Sequence, residues 1–107
     1  MNKVFSALMM LLAFNFSFAG EIIRDAETST IGNTANGNDD FYIKVKNGTG
    51  VCNGNIIFPR EAAPSAEYHA RAYSLALTAI TTKNTKVRVV NFDSQGCTYA
   101  SYIEMSN

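Results

Sequence analysis

The sequence has no tryptophan, one histidine, two prolines and two cysteines, and its charged residues make up 17% of the chain with a formal net charge of zero. Each scarcity excludes something. A chain without net charge has no bulk field to hold a polyanion, so nucleic acid is not expected as a partner. One histidine and two cysteines far apart in sequence offer no cluster of soft ligands and no C-x-x-C pair, so neither a metal site nor a redox pair is expected. His69 has no carboxylate at a readable spacing that would make it a general base. No G-x-S-x-G elbow and no glycine-rich phosphate loop occurs. The sequence therefore predicts no catalytic residue, no metal and no cofactor.

Long apolar runs are also scarce. The main one, Val4 to Phe14, follows Lys3 and leads to Ser17-Phe18-Ala19, with small residues at the two positions a signal peptidase reads. It is shorter than the roughly 20 apolar residues a membrane span needs. Residues 1–19 are thus expected to be a signal peptide, and 20–107 a single β-rich domain of an exported protein, periplasmic or secreted, with no stable membrane anchor after cleavage. Without Lys3, eight Lys and Arg face nine Asp and Glu, a formal charge of −1. A domain of this size buries limited surface and needs reinforcement. Cys52 and Cys97 both lie in the exported part, where an isolated pair is expected to bond. That bridge would stabilise the fold by roughly 3–4 kcal/mol on the chain-entropy model.

What remains reads as strands around one helix. Glu21–Ile31 is expected as a strand, with Ile22, Ile23 and Ile31 as its apolar points. The segment 32–40, GNTANGNDD, is a polar turn; its oxygen donors do not have the spacing of a calcium loop. FYIKVK, 41–46, alternates, with Phe41, Ile43 and Val45 on one face and Tyr42, Lys44 and Lys46 on the other. Asn47-Gly48 is a hairpin turn, followed by a strand from about Thr49 through Phe58 that bends at Asn53-Gly54. The only strong helix covers Ala66–Thr82, with Ser65 as N-cap and Glu67 in the first turn. KVRVVNF, 86–92, and CTYASYIEM, 97–105, are the last strands, separated by a turn at 93–96.

On a helical wheel, Ala66, Ala70, Tyr73, Leu77 and Ile80 form a narrow apolar stripe expected to cover a sheet. Glu67, Arg71, Ser74, Thr78 and Thr81 form the solvated flank. The opposite flank, Tyr68, Ala72, Leu75, Ala76 and Ala79, carries no charge. It is the candidate interface, packing either on another subunit in a homo-oligomer or beneath Glu21–Ile31 of the same chain.

The fold class expected from this order is α+β, mostly β: a small OB-fold-like five-stranded barrel or sheet with one helix between strands three and four. The alternative is a helix laid on one face of an antiparallel sheet. The last forty or so residues, with Lys86-Val87 opening a strand after the helix and the tail Ile103-Glu104-Met105-Ser106-Asn107, resemble the disulfide-bonded OB-fold B subunits of bacterial toxins of the cholera-toxin kind. Those subunits form glycan-binding rings. They stack the sugar on a tryptophan, which this chain lacks, so the resemblance implies an architecture and no binding residue.

Tyrosines have an apolar face and a polar tip, which suits glycans and protein partners. Tyr42, Lys44 and Tyr102 are the candidate ligand-binding residues. The functional expectation is an exported, non-catalytic binding module for a glycan or a protein. The alternatives are a small periplasmic enzyme, an enzyme inhibitor or a structural accessory protein.

Overall fold

The structure, a computed structural model, describes residues 20–92 and 96–107; the expected leader and most of the 93–96 turn lie outside the described residues. Among the described residues five strands and one α-helix are formed: β1 Glu21–Asn33, β2 Phe41–Lys46, β3 Asn55–Phe58, α1 Ala66–Thr81, β4 Lys86–Val90 and β5 Tyr102–Ser106. A single 3-10 turn, Arg60–Ala62, joins β3 to α1. The strands make one antiparallel sheet in the order β3-β2-β1-β4-β5. Mostly β, with one helix between the third and fourth strands, this is the expected element order realised as an open sheet.

The 13-residue β1 organises the sheet by changing partner along its length. Its first half pairs with β4, Glu21 with Val90 and Ala26 with Val87, and its second half pairs with β2, Glu27 with Lys46 through Asn33 with Phe41. Register shifts near Ile23–Ala26 and Thr28–Thr30, with Asp25 at φ 55°, bend the strand between the two pairings. In β2 the alternation appears as read, with Phe41, Ile43 and Val45 buried.

The third strand is shorter than expected. Residues 49–52 leave β2 and run along β1 instead. Arg24 and Thr49 exchange backbone hydrogen bonds of 3.0 and 2.9 Å, and the Cys52 N–H donates to the Ile22 carbonyl at 3.0 Å. The Asn53 amide closes this bend by bonding both the N–H and the carbonyl of Gly48, at 3.3 and 3.2 Å. The excursion depends on Gly50, at φ 148°, where a Cβ would come within 2.4 Å of the Ile22 oxygen. It also explains why consecutive residues Ile22 and Ile23 are both fully buried. Ile23 has its outer side covered by the Gly48 loop.

The last strand begins at Tyr102 rather than Cys97. Before it, the Cys97 carbonyl accepts from the Ile57 N–H (2.8 Å), the Ala100 N–H donates to the Ile57 carbonyl (3.0 Å), and the Ser101 N–H donates to the Val90 carbonyl (3.2 Å). The segment is crossing from the β3 edge to β4 and cannot keep a ladder with both. It touches β3 at one residue, and among the described residues no strand pairing closes the sheet.

α1 begins as expected, the Ser65 Oγ accepting from the Tyr68 N–H at 3.1 Å. Its orientation corrects the helical-wheel expectation. Ala72, Ala76 and Ala79 are buried in the chain's own core, with Leu75 packed against it, while Tyr73 and Leu77 of the stripe assigned to the sheet are 39% and 44% exposed. The helix packs on β1 and β5, so this flank lies against strands of its own chain. The physical reason is volume. The sheet supplies Ile22, Ile23, Ile43, Ile56, Val87, Val89 and Ile103 to the core, and a face of alanines lets the helix approach these side chains closely without overfilling the space.

Candidate functional site

The disulfide forms between Cys52 and Cys97, with the Cα atoms 5.6 Å apart. It ties the excursion along β1 to the segment that crosses toward β5. A bond of this kind suits an oxidising, non-cytoplasmic compartment. Among the described residues, no helix is long and apolar enough to cross a membrane, and no group of three or more His, Cys, Asp and Glu side chains is placed to hold a metal ion.

His69 is occupied structurally. Its Nε2 lies 2.9 Å from the Phe58 carbonyl, which can only accept, so Nε2 carries the proton and pins α1 to the end of β3. The ring also leans on Phe41, at a centroid distance of 5.1 Å. Phe41 stacks flat on Phe58 (4.6 Å, 5°) and receives Tyr73 edge-on (5.2 Å, 82°). Phe41, His69 and Tyr73 line an open groove of about 780 Å³ between the β1–β2 loop and the first turns of α1.

The loop wall is held by its own side chains. The Asn36 Oδ1 accepts from the Thr34 hydroxyl (2.8 Å) and the Asn38 N–H (3.0 Å), and the Thr34 N–H donates to the Asp40 carbonyl (3.3 Å). The Asp40 Oδ1 accepts from the Arg60 N–H at 3.2 Å, fixing the loop to the turn after β3. Asn33, Asn38, Asp39 and Arg60 line the groove with Tyr73 and Ser74. An exposed aromatic ring thus shares a groove with amides, carboxylates and a guanidinium on a loop that is already folded. Such a combination can stack a flat, partly apolar ligand and bond its hydroxyl groups.

Of the expected ligand-binding residues, Tyr42 and Lys44 are brought together and Tyr102 is not. Tyr42 and Lys44 project from the outer face of β2 into a shallower depression of about 380 Å³ on the other side of the same loop, with Asn55 and Ile57 of β3. Tyr102 sits on β5, and β1 and β4 intervene in the sheet. Its hydroxyl donates to the Glu104 carboxylate at 2.8 Å, and this bond, with burial and the nearby charge adding to it, raises the phenol's pKa. Tyr102 lines a narrow slot of about 120 Å³ with Tyr68, Arg71 and Leu75. Burial raises the pKa of Tyr68, against the smaller opposing pull of Arg71.

The rest of that face is electrically self-contained. Lys86 bonds Glu27 at 2.8 Å, Arg88 bonds Glu21 and approaches Glu104 at 3.7 Å, and Arg24 lies 3.8 Å from Glu21. The Lys86 hydrogen bond and charge hold the Glu27 carboxyl below the usual range, with a smaller contribution from Asn47. These groups are partly exposed and screened, so each pair contributes little to stability.

The sequence reading missed Tyr73, Arg60 and Asp40 as site residues. Tyr73 was assigned to the buried stripe because the two apolar sectors of the helix look alike on a wheel. Arg60 and Asp40 are twenty positions apart, and only the β2–β3 pairing places them together.

No curated protein and no solved structure matches the chain. A family model does match, over residues 3–107, and the chain belongs to that family, the family of unknown function DUF5992.

Proposed function

We propose that this protein is an exported, non-catalytic binding module that holds a glycan in the groove between the β1–β2 loop and α1. The observation that carries the reading is the pairing of Tyr73, 39% exposed and held edge-on by Phe41, with a facing wall of Asn33, Asn38 and Asp39. A sugar ring presents C–H groups on one face and hydroxyls around its rim, so it matches an aromatic plane beside amide and carboxylate acceptors. The loop's internal hydrogen bonds limit the ordering cost of binding. The frame in this reading is OB-like but open between β3 and β5, supported by the strand order and by the bonds of Ile57 to the Cys97–Ala100 segment. Export is supported by the leader and by the disulfide.

A glycan array probed with the exported, oxidised protein tests the reading. A defined subset of glycans should bind. Tyr73→Ala should weaken that binding by about tenfold, the scale of one lost aromatic contact, and leave the protein folded, with a melting temperature lower by several degrees because the ring is more than half buried against Phe41. Binding that survives Tyr73→Ala unaltered would place the glycan elsewhere. An array with no bound glycan would reject the reading.

A further inference from the structure

The outer face of the sheet is divided electrically. On the β1–β4–β5 side Lys86, Arg88 and Arg24 are each placed against Glu27, Glu21 or Glu104. On β2, Lys46 lies in the field of Glu27. Among the described residues no carboxylate pairs with Lys44, and no Asp or Glu lines the depression it shares with Tyr42. Its cross-strand neighbour is Asn55 on β3 and Thr30 on β1, both uncharged.

The Tyr42 ring beside it is held in place. Tyr42 pairs with Gly32 across β1, and a Cβ at Gly32 would lie 3.0 Å from Cε1 and 3.1 Å from the hydroxyl of Tyr42. The absent side chain lets the ring lie against the β1 backbone, beside the depression that Lys44 also lines. Asn33 and Thr34 line this depression and the helix-side groove alike. The two concavities are therefore separated by one loop wall, and an extended chain leaving one meets the other.

We propose that the Tyr42–Lys44–Asn55 face is a second subsite that takes an anionic sugar residue of the oligosaccharide whose neighbouring unit occupies the Tyr73 groove. The inference rests on the glycan reading of that groove. The added content is charge selection. The ring stacks on Tyr42, the Asn55 amide bonds hydroxyls, and Lys44 supplies a cation without a carboxylate partner among the described residues for a carboxylate or a sulfate ester. Arg60 does not duplicate this role in the first groove, because its Nη1 donates to the Ala63 carbonyl and Asp39 and Asp40 line that groove with it.

The test is an array on which each uronate-containing oligosaccharide is printed beside its methyl ester, its neutral hexose counterpart and a sulfated form. It is probed with wild type, Lys44→Gln, Lys44→Arg and Tyr73→Ala. The acid should bind more tightly than its ester by up to about fivefold, the scale of one exposed ion pair. The preference should shrink as salt rises. Lys44→Gln should abolish the preference for the acid over its ester, and Lys44→Arg should retain it. Ranking the carboxylated against the sulfated forms identifies which anion is recognised. Neutral glycans bound in a Tyr73-dependent way without any preference for acids would overturn this inference and leave the groove reading standing. An acid preference that survives Lys44→Gln would also overturn it. No glycan bound in any form would overturn both.

Discussion

Replacing Ala76 with glutamate should unfold the domain, whereas the same change at its neighbour Leu77 should leave it folded. Ala76 is fully buried where α1 meets the sheet, and Leu77 is 44% exposed. At position 76 the larger side chain overfills a packed contact, at about 1–3 kcal/mol. Burying an unpaired carboxylate adds several kcal/mol more even after relaxation. A domain of this length has a stability of about 4–13 kcal/mol, so the change removes most or all of it. At position 77 the loss is the share of leucine's burial still present, about 1 kcal/mol against ~1.5–3 for a fully buried leucine. That corresponds to a fall in melting temperature of roughly 4–8 °C. Far-UV circular dichroism melts of both oxidised variants, with light scattering to give their mass, measure the contrast. A folded Ala76→Glu beside an unfolded Leu77→Glu would reverse the orientation assigned to the helix. A folded Ala76→Glu that only dissociated an oligomer would mean that another subunit covers the alanine face.

Reducing the Cys52–Cys97 bond, which spans 45 residues, should cost ~4 kcal/mol on the chain-entropy model and lower the melting temperature by more than 10 °C; free thiols in the exported protein would contradict the pairing. The Glu27 carboxyl, observed by NMR titration, should titrate below the ordinary glutamate range and return to it in Lys86→Ala. Because its folded pKa is depressed, the associated stability is present above the unfolded value and is lost as pH falls through the folded one; an unshifted Glu27 would remove the ion pair. Gly50→Ala should destabilise the fold by well over ~1 kcal/mol, since a methyl group would clash with the Ile22 carbonyl. Gly37→Ala, at φ 78° with open space around it, should cost only the backbone strain of about 1–2 kcal/mol. Equal effects in denaturant titrations would refute the close approach.

Local chemistry made much of the fold legible. Strict alternation in FYIKVK identified β2 and its inward face, and the serine after Pro64 identified the start of the helix. The strand ends were less legible. Thr49–Cys52 falls within the stretch expected as the third strand but bonds to β1, and Cys97–Ser101 divides its hydrogen bonds between Ile57 and Val90. Neither choice of partner is encoded locally. Tyr42 and Lys44 could be grouped because two positions along one strand share a face. Tyr102 could not be separated from them without the strand order.

The sequence by itself determined the element types, the two bonded cysteines and the scarcity of titratable chemistry, because propensity, periodicity and composition act over a few residues. Tertiary structure decided which side of α1 is buried. Two apolar sectors on one helix have similar transfer energies, and the choice between them depends on how closely the helix can approach the bulky side chains of β1 and β5; the alanines allow a closer approach than Tyr73 and Leu77. That same choice turned Tyr73 outward beside the 33–40 loop and so created the groove.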